Sequence, residues 1–228
     1  MPPQGFLRIG ATLVKVPSWN RPLGLDPAGT PEFTHTPGQV AFTPDGSRLI
    51  VTTKANGNDI DVFPVTASGG LAVAPVVNAD PGNVPFGVTF DAGGHLIVAE
   101  AGDNALAAFT VNPDGTLTLA DRAATGQQAT CWVAPDRAVS AFYVSNAGSG
   151  TVSAFSDPGG GALTSLRNTP TDAGTVDASA TSDGRYLYVQ TGINGIVDGY
   201  RVGQDGSLTE TGSVTVPQAA GGEGIAAS

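Results

Sequence analysis

Cysteine is nearly absent. Cys131 stands alone in 228 residues, which excludes an internal disulfide framework and a thiolate metal cluster. Basic side chains are scarce as well: ten Lys and Arg face twenty Asp and Glu, for a formal charge of −10. A surface of that sign repels phosphate backbones and anionic bilayers, so neither nucleic acid nor membrane is an expected partner. Apolar runs are short of the roughly 20 residues that span a bilayer. The opening Met1–Gly10 has no basic stretch leading into a long apolar core, so it does not read as a secretory signal. As it stands the chain reads as soluble and cytoplasmic, or secreted if the natural start lies upstream. No phosphate-binding glycine loop, zinc motif or Ser-His-Asp order occurs, and no metal or cofactor is expected.

Helix-forming composition is also thin. Only 13% of residues are charged, whereas glycine reaches 32 and proline 17, the punctuation of a protein built from short strands and tight turns.

What is present is a repeat. Val51, Val98, Val144 and Val189 close equivalent apolar runs at spacings of 47, 46 and 45 residues. Phe63, Phe109, Phe155 and Tyr200 keep the same step, as do Leu71, Leu117, Leu163 and Leu208. Within a unit, four runs of four to seven residues alternate apolar and polar positions, the signature of half-buried strands. In the first unit these are 39–43, 48–53, 59–65 and 71–76. Pro44-Asp45-Gly46, Ser182-Asp183-Gly184, Pro113-Asp114-Gly115 and Gln204-Asp205-Gly206 supply hairpin chemistry, Asp bonding its own turn and Gly accepting positive φ. No unit carries the spaced oxygen ligands of a calcium loop.

Four-stranded antiparallel units at a period of about 46 residues predict an all-β protein, a β-propeller, whose blades hide each other's apolar faces. The predicted organisation is a single domain: a partial blade and linker over 5–36, blades over 37–84, 85–130, 131–174 and 175–221, and a closing strand over 222–228. That is about four complete blades plus a partial fifth. The partial blade takes Gly5–Ile9 and Thr12–Val16 as third and fourth strands, and Gly224–Ala227 is expected to complete it as a first strand. The alternatives are five-bladed closure or a fragment of a seven-bladed ring, whose open β edges would invite self-association.

The segments 51–65 (VTTKANGNDIDVFPV), 85–90 (PFGVTF), 125–132 (TGQQATCW) and 146–152 (NAGSGTV) resemble the seven-bladed lactonase family. That family includes the bacterial phosphogluconolactonases and the fungal carboxymuconate lactonizing enzymes. The resemblance runs from Gly5 to Ala227 and matches the C-terminal two thirds of such a ring. It implies a site on the face where second-to-third and fourth-to-first connections gather. It also implies substrates that are lactones or their open hydroxy acids, and chemistry by an acid or base with a cation to hold the substrate.

On that face the second-to-third connections offer Lys54, Asn56, Glu100, Asp103, Asn146 and Asn194. The other set offers His35, Gln39, Asn83, Gln127, Gln128, Cys131, Trp132 and Asp177. Glu100 is the expected proton-transfer group, because a carboxylate facing a low-dielectric funnel has its pKa moved toward neutrality. Lys54 is the expected anion clamp. His35, Gln39, Asn146, Trp132 and Asp177 are the expected substrate contacts, and Cys131 is read as packing. The family's pattern brings His and Arg to the blade entrances, whereas here they read Pro37-Gly38-Gln39, Pro85-Phe86-Gly87, Cys131-Trp132-Val133 and Thr175-Val176-Asp177. None carries a cation, which leaves a non-catalytic binding propeller or an inactive truncated member beside the lactonase reading.

Overall fold

The computed structural model describes residues 3–228. It is almost entirely β, with one short helical turn at Glu32–His35 and a 3-10 turn at Lys54–Asn56. Each blade is a meander of four antiparallel strands. The first contains β3 (Val40–Phe42), β4 (Arg48–Thr52), β5 (Asp59–Pro64) and β6 (Val76–Ala79), preceded by a separate hairpin of β1 (Gln4–Ile9) and β2 (Thr12–Asn20). The second contains β7 (Pro85–Phe90), β8 (Leu96–Glu100), β9 (Ala105–Val111) and β10 (Leu117–Ala124). The third contains β11 (Thr130–Asp136), β12 (Ala141–Asn146), β13 (Thr151–Ser156) and β14 (Thr164–Pro170). The fourth contains β15 (Thr175–Ala180), β16 (Tyr186–Thr191), β17 (Ile196–Val202) and β18 (Leu208–Thr215). The Asp-Gly turns behave as their chemistry requires. Asp45 accepts from the Ser47 amide at 3.0 Å and Asp183 from the Arg185 amide at 3.1 Å, while Gly46 and Gly184 sit at φ of 69° and 66°.

The core lies between blades. Because successive side chains of a strand point to opposite sheet faces, the second strands of the sandwiched blades, β8 and β12, are buried on both, while the outer β10 and β14 are largely exposed. In β8, Leu96 and Val98 pack with Ile50, Ile60 and Val62 of the first blade, while Ile97 and Ala99 pack with Phe142, Val144 and Phe155 of the third. Tyr143, Ala134 and Val152 then meet Leu187, Val189 and Tyr200. The repeated aromatics are all buried: Phe109, Phe155 and Tyr200 lie in the three interfaces, while Phe63 packs with Leu49, Val51 and Leu23 in a cluster of the first blade. Burying such a side chain is worth about 1.5–3 kcal/mol, so three stacked interfaces hold the molecule together.

Two expectations are corrected. The fourth strand of the first blade is β6 rather than 71–76; Leu71 makes only an isolated bridge to Val65. The guanidinium of Arg21, arriving from the hairpin side, donates to the carbonyls of Leu71 and Ala72 at 2.5 and 2.6 Å. Pro75 lacks an N–H, so this stretch has little left for a ladder. Nor does Gly224–Ala227 join β1 and β2, which form a sheet of two strands by themselves. The tail instead runs beside β15, its Ile225 amide donating to Asp177 Oδ2 and its Ala227 amide to Ser179 Oγ, both at 3.1 Å. The same kind of bond joins inner strands elsewhere, where the Val88 amide donates to Gln39 Oε1 at 2.6 Å.

Candidate functional site

The first strands of neighbouring blades lie side by side, and a pocket of about 250 Å³ opens where their leading ends meet. Lys54, Phe86, Cys131, Trp132, Asp177 and Glu223 contribute to its wall. A connected space of about 380 Å³ extends from Lys54, Trp132 and Glu223 to Gln39 and Pro37. Lys54 is thrown inward by its own backbone. It follows β4 at a φ of 53°, a left-handed conformation that turns the chain away from the strand direction. Its ammonium donates to Phe33 O at 2.9 Å and Thr36 Oγ1 at 3.3 Å, and lies 4.6 Å from the centre of the Phe86 ring. Of the three donors on an ammonium, these two hydrogen bonds leave one. Burial lowers the Lys54 pKa, and the carboxylate of Glu223 opposes that shift.

Asp177 is the third residue of β15 and is 8% exposed. It accepts the Ala178 amide at 2.7 Å and the Ile225 amide at 3.1 Å. Burial nevertheless raises its pKa, with the charge of Glu223 adding in the same direction. Cys131 shares this wall, its Sγ 3.8 Å from Ser145 O and 3.9 Å from Val176 O. Burial pushes its thiol up to about 12, so at neutral pH it is a packing group and no nucleophile.

Of the expected site residues, the fold thus brings Lys54, Trp132 and Asp177 together and leaves Gln39 at the rim. Three lie elsewhere. His35 lines a separate cavity with Asp26, Glu32 and Asn56, its Nδ1 2.9 Å from Thr34 Oγ1 and 3.0 Å from Pro31 O. Asn146 is fully buried inside the third blade, where its amide donates to Ser153 Oγ at 2.9 Å and its carbonyl accepts from Thr130 Oγ1 at 2.7 Å. It locks the strand ends and has no free polar atom to offer a ligand.

Glu100 is the larger correction. It does not face the funnel: the side chain is 0% exposed and meets Arg122 of β10, with Nη2–Oε1 at 2.9 Å and Nε–Oε2 at 2.7 Å. Arg122 also reaches Asp80 Oδ1 at 3.3 Å. Burial pushes the Glu100 pKa up to about 8; Arg122 opposes the shift and Asp80 adds to it. The last residue of β8 therefore ends in an inter-strand ion pair, and its carboxylate is shielded from the pocket.

Two wall residues escaped the sequence reading. Phe86 was visible only as part of an entrance. Glu223 sits in a glycine-rich stretch, Gly221-Gly222-Glu223-Gly224, within the presumed closing strand; a lone carboxylate among glycines was the available signal. Among the described residues, no group of three or more His, Cys, Asp or Glu is placed to hold a metal ion, and no helix is long and apolar enough to cross a membrane.

Comparison with solved structures places this arrangement. A protein of Bacteroides uniformis assigned as a 6-phosphogluconolactonase superposes with a TM-score of 0.70 at 18% identity, over 79% of this chain and 55% of that one. The periplasmic gluconolactonase of Pseudomonas aeruginosa does so with a TM-score of 0.68 at 19% identity, over 78% of this chain and 54% of that one. At the level of the fold, the chain is a β-propeller like these two. It spans little more than half the length of those two structures. A chain of a nidogen/laminin complex also superposes, with a TM-score of 0.58 at 16% identity, over 81% of this chain and 65% of that one. No family profile matches the sequence, and no curated protein matches it. At these identities the likeness concerns architecture, and chemistry has to be argued from the pocket.

Proposed function

We propose that the lactonase-like propeller binds a small lactone or its open hydroxy acid in the central pocket and interconverts the two by adding or removing water. One observation carries the reading: the only ammonium of the pocket wall among the described residues, Lys54, lies in the same pocket as two carboxylates, Asp177 and Glu223, beside the apolar surfaces of Phe86 and Trp132. In the hydrolytic direction the ionised Asp177 takes a proton from water as the water oxygen bonds to the lactone carbonyl carbon. The remaining N–H of Lys54 donates to the oxyanion that forms. The ester C–O bond then breaks, and the proton held by Asp177 passes to the departing alkoxide oxygen. The raised pKa of Asp177 suits both halves of that exchange. Asp177 therefore takes the role that sequence reasoning assigned to Glu100, while Lys54 keeps its own.

Acid release from a panel of lactones tests this, comparing the parent with Asp177→Asn and Lys54→Met. The expected loss is about 10²-fold or more for Asp177→Asn. Absence of turnover above the uncatalysed rate for every lactone would end the enzymatic reading.

A second reading, a binding propeller without catalysis, is favoured by a different observation. Among the described residues no Arg or His lines the pocket, and the Lys54 ammonium is already tied to Phe33 and Thr36. Calorimetric titration with open hydroxy acids that are never turned over would support it.

A further inference from the structure

The Lys54 ammonium takes its direction from a segment outside its own blade. Both of its acceptors, Phe33 O and Thr36 Oγ1, belong to the stretch 26–36 that leads toward β3. That stretch has little to seat it. Its one helical turn, Glu32–His35, contains no buried residue and no side-chain cap, and Phe33 is 67% exposed. A turn of four residues does not hold itself, because helix nucleation is unfavourable until tertiary contacts offset it. Among the described residues, every hydrogen bond that ties 26–36 to the rest of the chain runs through Lys54 or Asn56.

Asn56 carries the larger share. Its Oδ1 accepts the Asp26 amide at 3.0 Å, and its Nδ2 donates to Asp26 O and His35 O, each at 2.7 Å. Both N–H groups of the carboxamide are thereby spent. Lys54 and Asn56 share one 3-10 turn, so a single piece of backbone grips the stretch with two side chains. The held carbonyl of His35 lies between Phe33 and Thr36 in sequence, the two residues that receive the ammonium. Gly29 lets the loop close there: an added Cβ would stand 3.1 Å from His35 Cβ and 3.2 Å from Asn56 Nδ2. His35 takes part through its carbonyl, whereas its ring bonds locally to Thr34 and Pro31. Asn56 is absent from the wall of the central pocket, so whatever it does for a ligand there it does through Lys54.

We propose that Asn56 is a positioning residue for Lys54: it fixes the 26–36 stretch, the stretch fixes two N–H groups of the ammonium, and the third is left aimed into the pocket. An ammonium on a flexible four-carbon stem otherwise turns freely. A donor set in advance stabilises a developing oxyanion without reorganisation, and a displacement of about 1 Å costs on the order of 10²-fold in rate. The catalytic consequence rests on the lactone reading of the pocket; the position of Lys54 does not.

The sequence contains two lysines, Lys15 and Lys54, so the full chain labelled with carbon-13 at lysine Cε gives two NMR signals, which Lys15→Arg assigns. In the parent, Lys54 should titrate below the ordinary lysine value of 10.5, because burial lowers it. In Asn56→Ala it should move toward that value, as the stretch lifts and water reaches the ammonium. Asn78→Ala is the control. Asn78 also donates to three carbonyls, those of Ile60, Val76 and Gly115 at 3.2, 3.3 and 3.1 Å, away from the pocket, and a merely structural loss there should leave the Lys54 titration unmoved. Gly29→Ala presses on the same contact from the other side; it should act like Asn56→Ala and serves if that variant unfolds. With any lactone that the parent hydrolyses, Asn56→Ala should lower kcat by about tenfold or more and change KM by less than about threefold. An unmoved Lys54 titration in Asn56→Ala and Gly29→Ala, or an equal shift in Asn78→Ala, would overturn the proposal, and an unchanged kcat would overturn its catalytic consequence. No turnover in the parent would end the lactone reading alone, since the titration tests the position of Lys54 without a substrate.

Discussion

Replacing Arg122 by Met should reveal a pH-dependent defect whose size follows from the geometry. The guanidinium contacts both oxygens of Glu100, at 2.7 and 2.9 Å, and Asp80 at 3.3 Å. Glu100 is 0% and Asp80 9% exposed, so removing the cation strands carboxylates that water reaches poorly. Breaking a buried pair by deleting one partner costs about 3–5 kcal/mol. Arg122 itself is 29% exposed, which points to the lower end, about 3 kcal/mol. For a chain of this size that corresponds to a fall in Tm of roughly 6–12 °C. The sign with pH is determined. The folded pKa of Glu100, about 8, lies above the ordinary glutamate value of 4.5. Its favourable contribution is complete below the unfolded pKa and is lost as pH rises through the folded one. Without Arg122 the folded pKa rises further, so at pH 6 the group is a neutral acid in parent and variant alike, and the defect should be smaller than at pH 9 by about 1.4 kcal/mol. Urea denaturation of parent and variant at pH 6 and pH 9 measures this. In the double variant with Glu100→Gln, the loss at pH 9 should be clearly less than the sum of the single losses. Equal losses at the two pH values, or additivity at pH 9, would refute the account.

Asp61 is a second buried acid, its pKa pushed up to about 6 by burial and then by Asp59. Stability should therefore decline as pH rises from about 4 through 6, and Asp61→Asn should flatten that decline in a thermal melt series. Phe155→Ala removes a side chain that is 0% exposed at the second blade interface and should cost about 3–5 kcal/mol by urea midpoint. Leu119→Ala, at a position 47% exposed, should stay within about 0.5 kcal/mol. Cys131, with its thiol pushed up to about 12, should resist iodoacetamide at pH 8 in the native protein and react only after unfolding. Prompt native alkylation would contradict the raised thiol pKa.

The blade pattern was legible because it is local. Four apolar runs per repeat and Asp-Gly turns at fixed offsets specify strands and hairpins without reference to distant residues. Of the repeated aromatics, Phe109, Phe155 and Tyr200 could be read as interface for the same reason. Lys54 was also within reach, since it stands in a second-to-third strand connection, and the repeat gathers those connections on one face. Glu100 was misplaced because its environment is made by Arg122 and Asp80, residues contributed by a different strand and a different connection. Nothing in the short sequence around a carboxylate announces that a guanidinium two strands away will claim it.

By itself the sequence determined the all-β architecture, the four repeated blades and the faces they bury, since alternation and turn chemistry act over a few residues. Only the tertiary structure decided which polar groups share a pocket. Packing sends the 222–228 tail alongside β15, bringing Glu223 to the pocket of Lys54 and Asp177, while Glu100 and Asn146 are consumed by partners inside their own blades. The physical reason is that charge is governed by distance and desolvation in three dimensions, whereas strand formation is governed by neighbours along the chain.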